Sequence, residues 1–342
     1  MAVVKYEQYC KMLKKAYDNG YAYPAFNVSN LETVSAVFAG LQKANSDGII
    51  QVSIGGAAYA SGIALKNKVL GAEAIANYVH LVADNYNINV ALHTDHCKLV
   101  DVDDYLVPLI EKTASRRKMG LPNLFCSHMF DGSNLILSEN LNVAKKLLKM
   151  CAENEIILEV EIGVVGGEED GMNNEGVEKA KLYSTSEDMI RAYEALNGVG
   201  GTYIVAATFG NVHGVYKPGN VKLKPKVLLE GKKALEEKFG KGAAFKFVFH
   251  GGSGSLKSEI AETLSYGVVK MNIDTDTQYA FTRPIVDHVM KNYDGLLKID
   301  GDVGTKSLYD PRSYLKKAQE NMAQRVVEAC NDLNSVNSHI NF

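Results

Sequence analysis

The stretch Ile157-Leu158-Glu159-Val160-Glu161-Ile162 reads as a β-strand that alternates aliphatic and acidic side chains. Successive strand residues point to opposite faces, so Leu158, Val160 and Ile162 share one face while Glu159 and Glu161 share the other. The aliphatic face fits packing against outer helices, which leaves the two carboxylates facing the interior of a barrel. An unpaired buried carboxylate costs on the order of several kcal/mol, so each needs a cation, a hydrogen-bond donor or a proton. The same theme recurs at 268–273, where Lys270, Asn272 and Asp274 fall on one face and Val269, Met271 and Ile273 on the other. In the run Leu92-His93-Thr94-Asp95-His96-Cys97, His93 and Asp95 share a face, and His96 falls where the strand begins to turn.

Working outward, β-rich runs occur at 21–28, 48–53, 89–94, 124–130, 156–163, 202–209, 245–251 and 268–273. Helical periodicity fills the intervals, for example at 31–44, 72–83, 140–151, 186–196 and 257–265. Strand followed by helix, repeated eight times, predicts an α/β fold, a closed (β/α)8 TIM barrel. The rival is a doubly wound open sheet, but no GxGxxG fingerprint follows the first strand. One domain over 1–342 is expected, with the barrel core over about 20–290 and a C-terminal helical extension from about 311. The polar segment 164–182 reads as a long loop of the kind that covers active sites. Segments 223–242 and 292–311 read as further insertions, and the last residues as a frayed end.

The 342 residues are 46% hydrophobic, with a formal net charge of −3 and charges of both signs mixed along the chain. Basic clusters such as Arg116-Arg117-Lys118 and Lys145-Lys146 suit solvated helix faces, and no nucleic-acid surface is expected. The five cysteines have no CxxC spacing, which argues against a disulfide framework or a structural zinc cluster. No leader is expected from Met1-Ala2-Val3-Val4-Lys5-Tyr6-Glu7, and no apolar run is long enough to span a bilayer. A cytoplasmic, membrane-free protein is the expectation.

Polar residues gather at the expected strand ends: Asn27, Ser53, Asp95, His96, Asp131, Glu161, His250, Asn272 and Asp274. In a (β/α)8 barrel these ends surround the mouth that carries the chemistry. Any one of them could be a satisfied polar residue or a helix cap; their shared placement argues otherwise. His96, His213 and His250 together fit a catalytic zinc with an open coordination position. His93 and His128 are candidates for orienting ligands, whereas His80, His288 and His339 fall in helical or tail segments. The run His250-Gly251-Gly252-Ser253-Gly254-Ser255 and the run Asn272-Ile273-Asp274-Thr275 each end a strand and lead to a helix. Either could be an ordinary cap, but on the seventh and eighth strands they occupy the usual phosphate site, with Lys217 as an added charge. A metal, a phosphate grip and free carboxylates point to carbanion chemistry on a phosphorylated ketone, with Asp95 and Glu168-Glu169 as acid–base groups.

From Pro24-Ala25-Phe26-Asn27-Val28 to Tyr309-Asp310-Pro311-Arg312, these motifs resemble the class II, zinc-dependent fructose-1,6-bisphosphate aldolases. The motifs His93-Thr94-Asp95-His96-Cys97, Gly166-Gly167-Glu168-Glu169-Asp170-Gly171, Gly210-Asn211-Val212-His213-Gly214-Val215-Tyr216-Lys217, His250-Gly251-Gly252-Ser253-Gly254 and Asn272-Ile273-Asp274-Thr275 carry the resemblance, in family order and spacing. It implies reversible cleavage of fructose 1,6-bisphosphate to dihydroxyacetone phosphate and glyceraldehyde 3-phosphate, in glycolysis and gluconeogenesis. It implies zinc on His96, His213 and His250. Asp95 would serve the C4 hydroxyl and Glu169 the nucleophilic carbon of dihydroxyacetone phosphate. Asp131 and Glu161 match positions for a second divalent ion, or for the zinc in an alternate position. Ser53, Gly214, Gly251, Gly252, Ser253, Asn272, Ile273, Asp274 and Thr275 match substrate contacts, and Arg312 matches an arginine that reaches the distal phosphate, in some members from a neighbouring subunit. A monovalent cation (K+ or Na+) near the phosphate and a homo-oligomer, dimer or tetramer, are family features too. Val52 and Ile54 depart from the family pattern around Ser53. The alternatives are a tagatose-1,6-bisphosphate or other ketose-bisphosphate aldolase, and a non-catalytic sugar-phosphate binder.

Overall fold

The computed structural model describes residues 3–169, 172–173, 182–213, 223–252, 254–297 and 303–342. Eight strands form the barrel: β1 (Tyr23–Asn27), β2 (Gly48–Val52), β3 (Val90–Lys98), β4 (Ser127–Asp131), β5 (Ile157–Ile162), β6 (Tyr203–Ala207), β7 (Phe247–Phe249) and β8 (Val268–Ile273). They pair in chain order, all parallel, and β8 closes onto β1 through Tyr23 opposite Lys270 and Ala25 opposite Asn272. The TIM barrel expected from the alternating runs is thus the observed fold, with helices between the strands.

Contacts across the lumen establish which faces point inward. Glu159 on β5 meets Lys270 on β8 and lies near His93 on β3, although none of these strands are neighbours. Asp95 on β3 likewise meets Asn272 on β8. The opposite faces of the strands carry Leu158, Val160, Val269 and Met271, all buried in one continuous apolar core with the helices. The acidic–aliphatic alternation of 157–162 therefore divides lumen from outer core, as its period requires.

Three local expectations need correction. The segment 223–242 is no insertion: it holds the helix Lys226–Phe239, which buries Leu228, Gly231 and Leu235 at helical spacing. The segment 164–182 is not simply loop, because Gly166–Glu169 pairs with Met172–Asn173 and, in parallel, with Val212–His213. The C-terminus is not frayed. After the helix Pro311–Asp332, the Asn337 N–H donates to Ala44 O, the His339 N–H to Asn45 O, and the Ile340 N–H to Asp47 Oδ2. Segment 292–311 contains the short helices Tyr293–Leu296 and Lys306–Tyr309 among its described residues. Among the described residues no helix is long and apolar enough to cross a membrane.

Candidate active site and metal centre

Alternation alone would send Asp95 and His96 to opposite sides of β3. The strand avoids this with a bulge: its register against β4 jumps between Thr94 and Cys97, and His96 takes a φ of 39°. A left-handed backbone is costly for a side chain with a Cβ, on the order of 1–2 kcal/mol, and bulges of this kind re-aim side chains. The His96 ring consequently faces the same mouth as Asp95, with Nε2 3.9 Å from Asp95 Oδ1 and Nδ1 3.3 Å from Asp131 Oδ2 and 3.7 Å from Glu161 Oε2.

His250, just past β7, completes a cluster. Its Nε2 donates to Glu159 Oε1 at 2.6 Å, which turns Nδ1 toward Glu161 Oε2 at 3.3 Å. The His96 and His250 rings lie 4.8 Å apart, and one ligand atom from each of His96, Glu161 and His250 falls within 4.8 Å of the others. Donors about 2.1 Å from one tetrahedral ion would stand roughly 3.4 Å apart, so the 3.3 and 3.7 Å separations fit a divalent metal. Charge agrees with this fit. Burial, with Asp131 adding to it, pushes the Glu161 carboxyl above its ordinary value, and a divalent cation at the cluster would favour its ionised, ligating form. Burial opposes a charged His250, but Glu159 and Glu161 outweigh it and raise the imidazole to about 9.

Asp95 is buried, and three side-chain amides hold it. Asn27 Nδ2 and Gln51 Nε2 each donate to Oδ2 at 3.0 Å, and Asn272 Nδ2 donates to Oδ1 at 3.0 Å. Burial pushes its carboxyl up, but His96, Lys270 and His250 outweigh that and bring it below the usual carboxylate range. An ionised carboxylate beside a cluster that could hold a metal ion is an arrangement able to move a proton.

Asn27, Ser53, Gly56, Tyr59, Asp274 and Phe281 are among the residues that line a cavity of about 440 Å³ at the mouth. Ser53 caps the helix Ile54–Ala60, its Oγ accepting the Gly56 N–H at 3.1 Å. Gly251 adopts a φ of 58°, which a glycine meets without strain, and a Cβ on Gly252 would collide with Met271. Gly252 and Ile273 border a second cavity, of about 390 Å³. Thr275 opens the helix Thr275–Lys291 directly after Asp274.

Not every expected site residue converges here. The described contacts of Arg312 are with Asp310, whose carboxylate its exposed guanidinium grips through Nη2 at 2.6 Å and Nε at 3.0 Å. Gly214, Lys217 and Ser253 lie outside the described residues, as do the side chains of Glu169 and His213. Their strands are nonetheless placed: Gly167 pairs with His213, and Asn211 donates to the His250 carbonyl at 2.8 Å. His93 bonds Ser127 Oγ through Nδ1 and approaches Glu159 at 3.5 Å, whereas the described contacts of His128 are Thr94 Oγ1 and the Phe125 ring. Of the groups gathered here, Gln51 is the one that the strand patterns leave out of the site, whereas Asn27, Glu159 and Lys270 fall at a strand end or on inward faces without a named partner. Their signal was a polar side chain on the inward face of an otherwise aliphatic strand.

The family model for class-II fructose-bisphosphate aldolase matches residues 7–338. The chain belongs to that family. Metal dependence, zinc in general, is a property of the class-II aldolases. The fructose-bisphosphate aldolase of Mycobacterium tuberculosis is 57% identical over 337 residues, covering 97% of each chain. That of Corynebacterium glutamicum is 54% identical over 340 residues, with 98% of each chain covered. Among solved structures, the Campylobacter jejuni fructose-bisphosphate aldolase superposes with a TM-score of 0.87 at 40% identity, covering 98% of this aldolase and 97% of that chain.

Proposed function

We propose that this aldolase cleaves fructose 1,6-bisphosphate reversibly to dihydroxyacetone phosphate and glyceraldehyde 3-phosphate, in glycolysis and gluconeogenesis in the cytoplasm. The observation that carries the reading is the buried Asp95 carboxylate beside the His96–Glu161–His250 cluster, on a chain so close to aldolases of that name.

In this reading zinc is held by His96, His213 and His250, with Asp131 and Glu161 serving a second divalent ion or an alternate position of the first. The bound metal supplies Lewis acidity toward the ketone oxygen. Asp95 removes the C4 hydroxyl proton in cleavage and returns it to the aldehyde oxygen in condensation. Its three amide donors fix the carboxylate plane, so a lone pair stays aimed at the substrate. Glu169 exchanges the proton at the nucleophilic carbon of dihydroxyacetone phosphate. One phosphate is gripped by Gly214, Lys217, Gly251, Gly252, Ser253 and the run from Asn272 to Thr275, helped by a monovalent cation (K+ or Na+). Ser53, on the wall of the larger cavity, serves the other end of the sugar, together with Arg312. Because the described contacts of Arg312 are with Asp310, this role suits a homo-oligomer in which it reaches a neighbouring copy's mouth.

A coupled cleavage assay on fructose and tagatose 1,6-bisphosphates, with and without chelator, tests the proposal. Chelation should abolish cleavage, zinc should restore it, and the fructose ester should be the faster substrate. Activity that survives chelation overturns the metal centre; faster tagatose cleavage overturns the substrate.

A further inference from the structure

Lys270 lies on β8 with its side chain wholly buried inside the barrel. Its ammonium sits 2.9 Å from Glu159 Oε2 and donates to Asn272 Oδ1 at 2.6 Å. These acceptors lead to different parts of the mouth. Glu159 uses its other oxygen to accept from His250 Nε2 at 2.6 Å, which leaves His250 Nδ1 facing Glu161. Asn272 can accept only through its oxygen. With that oxygen bound to a cation, its NH2 group must turn the other way, where it donates to Asp95 Oδ1 at 3.0 Å.

We propose that Lys270 is a positioning residue for the aldol reaction, setting through Glu159 the ring orientation of His250 and through Asn272 the donor that holds Asp95. The inference rests on the reaction proposed above, and Lys270 itself touches no reacting atom. Charge neutralisation alone does not account for the arrangement. Glu159 already balances the ammonium, and two aliphatic side chains would fill the same volume without desolvating either charge. The bond to Asn272 contributes nothing to that balance. What it does is choose between the two flips of a carboxamide, of which only one offers a donor to Asp95.

The test uses full-length protein carrying Lys270→Met, and the double variant Glu159→Gln/Lys270→Met, which leaves no unpaired charge buried if the single variant fails to fold. Bound metal per chain, kcat and KM for cleavage, and the visible spectrum of the cobalt-substituted protein are measured. Expected are near-normal metal content, a KM within about threefold of wild type, a kcat lower by about 10–100-fold, and a shifted cobalt spectrum as His250 loses its brace. A lysine that only stabilises the fold would lower the melting temperature and leave kcat and spectrum alone. Wild-type kcat in either folded variant overturns the proposal. Should the wild-type protein show no metal-dependent cleavage, the aldolase reading has failed instead; the spectrum then decides for Lys270, and an unshifted one overturns its role.

Discussion

Two buried aspartates mark the two ends of the barrel, and their surroundings differ in kind. Asp95 sits at the C-terminal mouth, held by side-chain amides from β1, β2 and β8, with His96, Lys270 and His250 close enough to depress its proton affinity. Asp47 lies just before β2 at the opposite end. It accepts the Asn89 N–H at 2.7 Å, His339 Nδ1 at 2.7 Å, the Ile340 N–H at 2.9 Å and both of its contacts with Asn89 Nδ2 at 3.2 Å. Two of those donors are backbone N–H groups, and two residues belong to the C-terminal tail. Asp47 is therefore a staple, closing the barrel floor with donors that have no freedom to leave. Asp95 is a carboxylate kept ionised and aimed. Burial is equal at the two ends; what separates the staple from the proposed proton carrier is the kind of donor and the charge nearby.

The largest effect expected from this contrast is on rate. Asp95→Ala should lower cleavage by about 10²–10⁴-fold with metal content intact, the range for a lost general acid–base. Full activity in that variant would place the chemistry elsewhere. Asp47→Ala should do the converse. Taking the acceptor from the Asn89 and Ile340 N–H groups should cost about 2–4 kcal/mol in urea unfolding, while kcat per folded chain stays at the wild-type level. A rate loss as large as that of the Asp95 variant would erase the distinction between the ends.

The smallest effect concerns the wall between them. His128 on β4 bonds Thr94 on β3, and burial lowers its pKa to about 3. The folded state thus leaves it neutral while the unfolded chain, with an ordinary value near 6.5, gains a proton as pH falls. Stability from this group is complete above about pH 6.5 and declines by roughly 1.4 kcal/mol per pH unit below it, until the folded value is reached. His128→Asn should accordingly lose about 2 kcal/mol less than wild type between pH 6.5 and 5 in urea titrations. An equal loss in both proteins would assign acid sensitivity to the ion pairs of the mouth.

How far these features could be read in advance depended on their range. The alternation of 157–162 and the helix at 257–265 are local patterns, and both appear as expected. The helix Lys226–Phe239 is hard to read from the sequence because its fully buried residues are only Leu228, Gly231 and Leu235, a narrow stripe with a glycine at its centre. The tail is hard to read from the sequence because its anchors include hydrogen bonds to Ala44, Asn45 and Asp47, at least 292 positions away in the chain. Lys270 falls on an inward face in the sequence pattern, and nothing in its neighbourhood names its partners.

By itself, the sequence determined the barrel and its inward and outward faces, since strand and helix periods are set by bonds between near neighbours. Only the tertiary structure decided which polar atoms pair. It bulged β3 so that Asp95 and His96 share a side, turned Asn272 toward Asp95 by tying its oxygen to Lys270, and closed the floor on Asp47. Each of these joins strands or segments far apart in the chain, where a choice among many satisfiable hydrogen bonds is made by packing geometry that no local pattern encodes.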